Sequence, residues 1–292
     1  MKKEMRRRDF LKRCILVPYI GFVGLSSMAL AAESTVQRRL RFTLTFKNPL
    51  DRALNSQKFW CYLPASVTPS QELRGVNVSM PHQVREDLLG HRILELEFDH
   101  FSALAQKVVT VTVDVELEQK PRPQPLESTQ SWLQPERFME SDNSAIKALA
   151  AQLNQTKPRD TVHSIYEWVR HNLVYAGYIA EDLGALYAVT HRQGDCTEYA
   201  DLVVALARAG NIPARMVGGY VVDRDSTPRP QDYHNWAEVY LEGTWSLVDA
   251  QKGVLFNPAD QYVTFRIYRD NPTNDVGLAH RYRVLGDFLV TF

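Results

Sequence analysis

Cys196, His234 and Asp249 are the residues of this 292-residue chain whose types and spacing could do covalent chemistry. Cys196 stands in "GDCTEYADLVVALARAG" (194–210), where a glycine turn gives way to Tyr199, Leu202, Val203, Leu206 and Ala207 at three- and four-residue steps. That period predicts an amphipathic helix beginning at the cysteine and closed by Gly210. A helix start offers unpaired N–H groups and the positive end of the dipole, which lower a thiol's pKa and supply amides to a developing oxyanion. Asp195 and Glu198 act in the opposite sense and keep the proton on sulfur, so a thiolate here needs a nearby imidazolium. Position alone fits equally well a small buried apolar cysteine.

The imidazole comes from a predicted hairpin, "HNWAEVYL" followed by "TWSLVDA". With Glu242-Gly243 as its two-residue turn, Leu241 faces Thr244, Tyr240 faces Trp245 and Trp236 faces Asp249. His234 then shares a sheet face with Trp236 and sits diagonal to Asp249, roughly 7–8 Å between backbones, which two side chains can span. A His and an Asp on one face beside a helix-start cysteine fill the roles of base and orienter for a nucleophile. The plainer alternative makes His234 a loop residue and Asp249 a turn former.

The elements that must position these groups follow from a change of period. Residues 36–119 alternate with the two-residue period of half-buried strands, at 38–46, 58–64, 91–98 and 107–118. Short strands without a helical period predict an antiparallel β-sandwich over 35–119. "QKPRPQPLESTQ" then reads as a proline-rich linker at 120–134. Over 135–292 the pattern is helices first and strands second: 141–155, capped by Ser or Asp; 159–175, with Val162, Ile165, Val169 and Leu173 on one stripe; the Cys196 helix; then strands at 214–222, 234–241 and 244–250. The fold class predicted is α+β.

Residues 1–31 read as an export signal: basic "MKKEMRRRDFLKR", an apolar stretch from Cys14 to Leu30, and "ALA" at 29–31. Arg7-Arg8-Asp9-Phe10-Leu11-Lys12 resembles the twin-arginine signal, with Arg6 where Ser or Thr is usual, which implies export of a folded protein by the twin-arginine machinery to the periplasm or beyond. The formal net charge is zero, and about −5 once 1–31 are removed, so no bulk electrostatic case exists for nucleic acid. Cys61 and Cys196 remain, too few and too far apart for a metal cluster or a disulfide scaffold. No EF-hand loop or dense acidic cluster is visible, and neither a metal nor another cofactor is expected.

"GDCTEYADLVVALARAGNIPARMVGGY" and "YHNWAEVYLEGTWSLVDA" together, in this order and spacing, resemble the transglutaminase-like superfamily with its papain-type Cys-His-Asp core. The resemblance covers about residues 135–255; the sandwich before it is compatible with the β domains that often precede such cores. It assigns Cys196 as nucleophile, His234 as base and acid, and Asp249 as orienter. Asn235 stands where alanine is common, and Ala250 where proline is common. The implied activity is acyl transfer from a protein or peptide amide in the cell envelope through a thioester, with hydrolysis expected to exceed transfer to amines. A true protein-glutamine transglutaminase and a catalytically silent binding module are the rivals. Trp236 is expected to wall the histidine, Arg215 to be a structural ion-pair partner, Gly218-Gly219 to mark a close approach or a bulge, and Tyr175 to be a candidate second oxyanion donor. His163, His171 and His191 lack partners at metal-ligand spacing.

Overall fold

The computed structural model of the protein describes residues 35–256 and 259–292. The export signal expected at 1–31 lies outside them. Seven strands precede any helix: β1 (Thr35–Lys47), β2 (Leu54–Leu63), β3 (Val67–Thr68), β4 (Gln71–Val78), β5 (Gln83–Glu86), β6 (Arg92–Phe101) and β7 (Gln106–Glu118). The four strands expected from alternation are β1, β2, β6 and β7. β7 shows why the period was readable: Val109, Val111, Val113, Val115 and Leu117 are buried, while the residues between them are partly exposed.

After a 3₁₀ turn at Gln130–Trp132 come α1 (Ser144–Leu153), α2 (Pro158–Asn172), β8 (Val174–Tyr175), α3 (Gly184–His191), β9 (Gln193–Gly194) and α4 (Cys196–Ala209). The α1 cap is Asn143, whose Oδ1 accepts the Ala145 N–H at 2.9 Å, rather than the Ser or Asp expected. α2 begins at Pro158, whose missing N–H is no loss in the first turn, and buries Val162, Ile165 and Val169, worth roughly 1.5–3 kcal/mol each. β10 (Ala214–Val221), β11 (Tyr233–Leu241), β12 (Thr244–Asp249), β13 (Val254–Leu255) and β14 (Tyr262–Ile267) follow, then β15 (Tyr282–Leu285) and β16 (Leu289–Thr291). No helix of the described residues is long and apolar enough to cross a membrane.

The sheets run β16-β1-β7-β4-β3, β15-β2-β6-β5 and β13-β12-β11-β10-β14, all with antiparallel pairings, while β8 and β9 form a small parallel pair. The first two are the sandwich, around Phe46, Phe59, Leu94 and Val113. β15 and β16 lie far along the chain, in the segment the sequence assigns to the second domain, yet they complete the sandwich by pairing with β2 and β1. The third sheet carries α4 on one face, through Val203, Leu206, Met216, Ala237 and Val239, with α2 beside it and α1 packed on α4. Tyr220, Val263 and Phe265, from β10 and β14, belong instead to the sandwich core.

Buried Gln71 joins the two parts: its Nε2 donates to the carbonyls of Ala65 and Thr264, and its Oε1 accepts the Thr264 N–H at 2.8 Å. The expected linker is docked as well. Gln124 N–H donates to the Gly243 carbonyl, the Thr244 hydroxyl to that of Arg122, and Trp132 packs edge-on against Trp245 at 5.3 Å.

Candidate active site

α4 is anchored at its first turn by side chains adjacent to the cysteine. Asp195 Oδ1 accepts the Thr197 N–H at 2.7 Å, and Glu198 Oε2 accepts the Asp195 N–H at 2.9 Å, a reciprocal capping box. Their remaining oxygens hold the preceding loop, Asp195 Oδ2 accepting the Ile179 N–H and Glu198 Oε1 the Leu183 N–H, both at 3.0 Å. The acidic pair that sequence reading treats only as opponents of a thiolate therefore builds the platform on which the thiol stands. β8 and β9 add to it, pairing Tyr175 with Gly194.

The hairpin forms as expected. Glu242 and Gly243 both take positive φ, as a two-residue primed turn requires, and Leu241 pairs with Thr244 and Tyr240 with Trp245. Near the far end of this hairpin, the buried His234 Nε2 lies 2.7 Å from Asp249 Oδ2. Asp249 is held twice more: the Tyr262 hydroxyl donates to the same oxygen at 2.9 Å, and the Lys252 N–H to Oδ1 at 2.9 Å. With Nε2 committed to the carboxylate, Nδ1 is the ring nitrogen left for a second partner. Trp236 covers the ring nearly parallel, centroids 6.2 Å apart, and Tyr262 meets Trp236 edge-on at 5.1 Å.

The residue after the histidine closes the gap to the helix. The Asn235 backbone N–H donates to the Cys196 sulfur. Its side-chain Nδ2 donates to Thr197 Oγ1 at 3.0 Å, and its Oδ1 accepts the Tyr268 hydroxyl at 3.1 Å. The departure at Asn235 thus stitches β11 to the first turn of α4. Gly218 and Gly219 on β10 allow this crowding, since a Cβ at Gly218 would strike the Tyr233 hydroxyl and one at Gly219 the Val263 carbonyl. Both expectations for this pair hold, because the pairing with β14 is also irregular between them.

Burial, then the charges of Asp195, Asp249 and Glu198, push the Cys196 thiol up to about 12 against the single lowering contact of the Asn235 N–H. Asp195 and Glu198 keep the proton on sulfur as their sequence position leads one to expect, and burial and Asp249 add to them, so that together they outweigh the dipole. Cys61, buried in the sandwich, is likewise pushed up to about 12, by burial alone, and both cysteines are free.

Arg215 is the structural partner expected, paired with Glu238 at 2.6 Å and stacked 4.1 Å from the Trp245 ring. Tyr175 is half-exposed and lines, with Cys196 and Asn235, a cleft of about 370 Å³. His163, His171 and His191 lie on exposed helix positions, and no three His, Cys, Asp or Glu side chains among the described residues gather as a metal site. Tyr262 and Tyr268 were missed, because β14 offers only a short apolar run with no motif of its own.

The comparisons with known proteins bear on the segment that carries α4, β11 and β12. Residues 147–250 match the transglutaminase-like superfamily. All three residues of the site fall within the transglutaminase-like segment. The fold is similar to that of a candidate cysteine protease from Cytophaga hutchinsonii, 22% identical, covering 89% of this chain and 90% of that one with a TM-score of 0.60. A weaker likeness joins it to the periplasmic domain of TgpA from Pseudomonas aeruginosa bound to ethylmercury, at 17% identity, 73% and 90% coverage and a TM-score of 0.42. Among curated proteins no sequence match reaches significance.

Proposed function

We propose that this protein is an exported cysteine acyl-transfer enzyme that cleaves protein or peptide amides through Cys196, His234 and Asp249. One arrangement carries the proposal: Asp249 occupies His234 Nε2 at 2.7 Å, leaving Nδ1 free, while the next residue on the same strand donates its N–H to the Cys196 sulfur. Export rests on the sequence of residues 1–31 alone.

With burial and the surrounding carboxylates pushing the thiol up to about 12, the sulfur rests protonated. The proton passes from sulfur to His234 Nδ1 as the sulfur attacks the amide carbon, and Asp249 steadies the imidazolium formed. The Cys196 N–H, at the start of α4, donates to the oxyanion, with the Tyr175 hydroxyl as a second candidate donor. His234 returns the proton to the departing nitrogen, the C–N bond breaks and a thioester remains. Water then adds to the thioester, releasing a carboxylic acid and the thiol.

Hydrolysis is the favoured outcome because the cleft is open to water. Pro230 and Gln231, on the loop 223–233, form part of its wall. That loop is pinned to the sandwich: Ser226 exchanges backbone hydrogen bonds with Arg39 and Arg41 of β1, and Asp225 Oδ1 accepts the Arg39 N–H at 2.8 Å. It is therefore not a lid over the thioester, and the sandwich acquires a role in shaping the cleft.

Incubation with a peptide library, with and without a primary amine, read by mass spectrometry, tests this. Cleavage or deamidation by the wild type, lost in Cys196→Ala, is expected. Dominant amine incorporation at modest amine concentration would make the protein a cross-linking transglutaminase, and no reaction of a folded, reduced sample would favour the binding module.

A further inference from the structure

Beside the Cys196 cleft lies a second cavity of about 390 Å³, which shares Asp182, Thr197 and His280 with it. Its distinctive wall residue is Arg266, on β14. Arg266 is only 3% exposed, yet no carboxylate among the described residues lies within ion-pairing distance of it. Nη1 donates to the carbonyls of Ala279 at 2.8 Å and Leu278 at 3.4 Å, and the guanidinium rests against the faces of Tyr268 at 4.1 Å and Tyr62 at 5.6 Å. Nε and Nη2 donate to no described group. A buried guanidinium without a counter-ion is costly, and two of its nitrogens are left to take an acceptor from the cavity, which a carboxylate can supply as a fork.

The other charges of the cavity do not supply that acceptor. Arg269 is paired with Glu136 at 2.8 Å and His280 with Asp182 at 3.0 Å. Asp201 is fully buried with neither carboxyl oxygen hydrogen-bonded, and burial, then the charges of Glu198, Asp182 and Glu140, push it well above the usual carboxylate range, which favours its neutral form. At the rim, exposed Asp270 accepts the Arg137 N–H at 2.8 Å, and the exposed Arg137 side chain has no ion pair among the described residues. Arg266 is thus the cavity's buried unpaired charge, and Arg137 the unpaired cation at its rim.

We propose that this cavity is a carboxylate pocket, so that the amide attacked by Cys196 belongs to a substrate carrying an acidic group beside the scissile bond. The inference rests on the acyl-transfer function for the word substrate, but not for the pocket itself. Two sources share the chemistry, an acidic side chain and a free C-terminal carboxylate.

The test is binding to the full-length Cys196→Ala protein, by calorimetry, of acetylated hexapeptides in matched pairs: Glu against Gln at each position, and free against amidated C-terminus. At least one carboxylate peptide is expected to bind about tenfold more tightly than its amide twin, and the arm in which it does names the source. In Arg266→Gln the ratio falls to about one, and in Arg137→Gln, an exposed position that tolerates substitution even if Arg266→Gln does not fold, by about threefold. Equal binding of every pair, or a preference that survives both substitutions, overturns the pocket. If the preference stands but the wild type transforms none of the preferred peptides, the acyl-transfer function fails and the pocket does not.

Discussion

Among the described residues two buried histidine–aspartate pairs have the same length, and one of them is followed on its strand by Asn235, whose N–H meets the Cys196 sulfur. His91, before β6, has Nδ1 2.7 Å from Asp87; His234, on β11, has Nε2 2.7 Å from Asp249. Both rings are at least nine-tenths buried. They differ at the other nitrogen. His91 Nε2 accepts the Ile267 N–H of β14 at 2.8 Å, so both ends of that ring are occupied and it acts as a strut between sandwich and sheet. His234 Nδ1 has no such backbone partner. Burial and a short carboxylate contact are thus common to both rings; what sets His234 apart is the uncommitted Nδ1, which suits the base role proposed for it.

The comparison breaks most sharply by substitution. Cys196→Ala is expected to lower turnover by on the order of 10⁴-fold or more, and His234→Ala nearly as much, with little loss of stability. His91→Ala should do the reverse, lowering the unfolding midpoint while sparing activity per folded molecule. Iodoacetamide mapping reads the difference without a substrate. Cys196 should label well ahead of Cys61 in the wild type and in His91→Ala. In His234→Ala that lead should shrink, and labelling should rise with pH toward about 12, where burial has pushed the thiol. Undiminished labelling in His234→Ala would mean the ring does not take the proton.

Asp249→Asn should cost about two orders of magnitude less than Cys196→Ala, because it orients the ring and does not react. Measured kcat/KM at or below that of Cys196→Ala would give the carboxylate a more direct part.

How much of this was legible follows from where the information sits. His234 and Asp249 are joined by one short hairpin, so turn type and strand parity alone place them together. Cys196 is marked by the change of period at Gly194, whereas the capping box that Asp195 and Glu198 form around it came only from the structure. α3 was not anticipated: it has no capping side chain, starts at Gly184 with φ +83°, and is short. β4 and β5 were missed because their exposed and half-exposed residues give little alternation. The return of β15 and β16 to the sandwich, the His91–Ile267 contact and the Gln71 latch join residues far apart in the chain, and no local pattern encodes such pairings. The thiol's pKa was legible in part, since Asp195 and Glu198 stand beside it in the sequence, while the burial that dominates comes from tertiary packing.

The structural pair can be tested by pH. Burial works to raise the Asp87 pKa, but the His91 ring, with Asn274 and the His91 N–H, pulls it from an ordinary 3.8 down to about 2. A carboxylate so depressed stabilises the fold fully above its unfolded value, and the contribution is lost as pH falls through the folded one. Asp87→Asn should therefore cost about 2 kcal/mol in urea unfolding near neutral pH, with the deficit shrinking between about pH 4 and pH 2. A deficit that stays constant on acidification would show that packing, not the charge, is what Asp87 contributes.

The smallest effect expected concerns the His234–Asp249 pair instead. Tyr262 shares Asp249 Oδ2 with His234, donating its hydroxyl at 2.9 Å, and burial followed by the Asp249 charge raises its pKa, so it remains a donor throughout the working range. Tyr262→Phe keeps the ring that meets Trp236 edge-on and removes only that hydrogen bond. One donor to a buried carboxylate is worth roughly 1.5 kcal/mol, so kcat/KM should fall about tenfold, mostly in kcat, because the loosened group orients the base rather than the substrate. The loss should be equal at about pH 6 and about pH 9, since a hydroxyl raised in this way does not titrate between them. A loss confined to KM, or one that disappears at the higher pH, would remove Tyr262 from the set of positioning residues and leave Asp249 held by Lys252 and His234 alone.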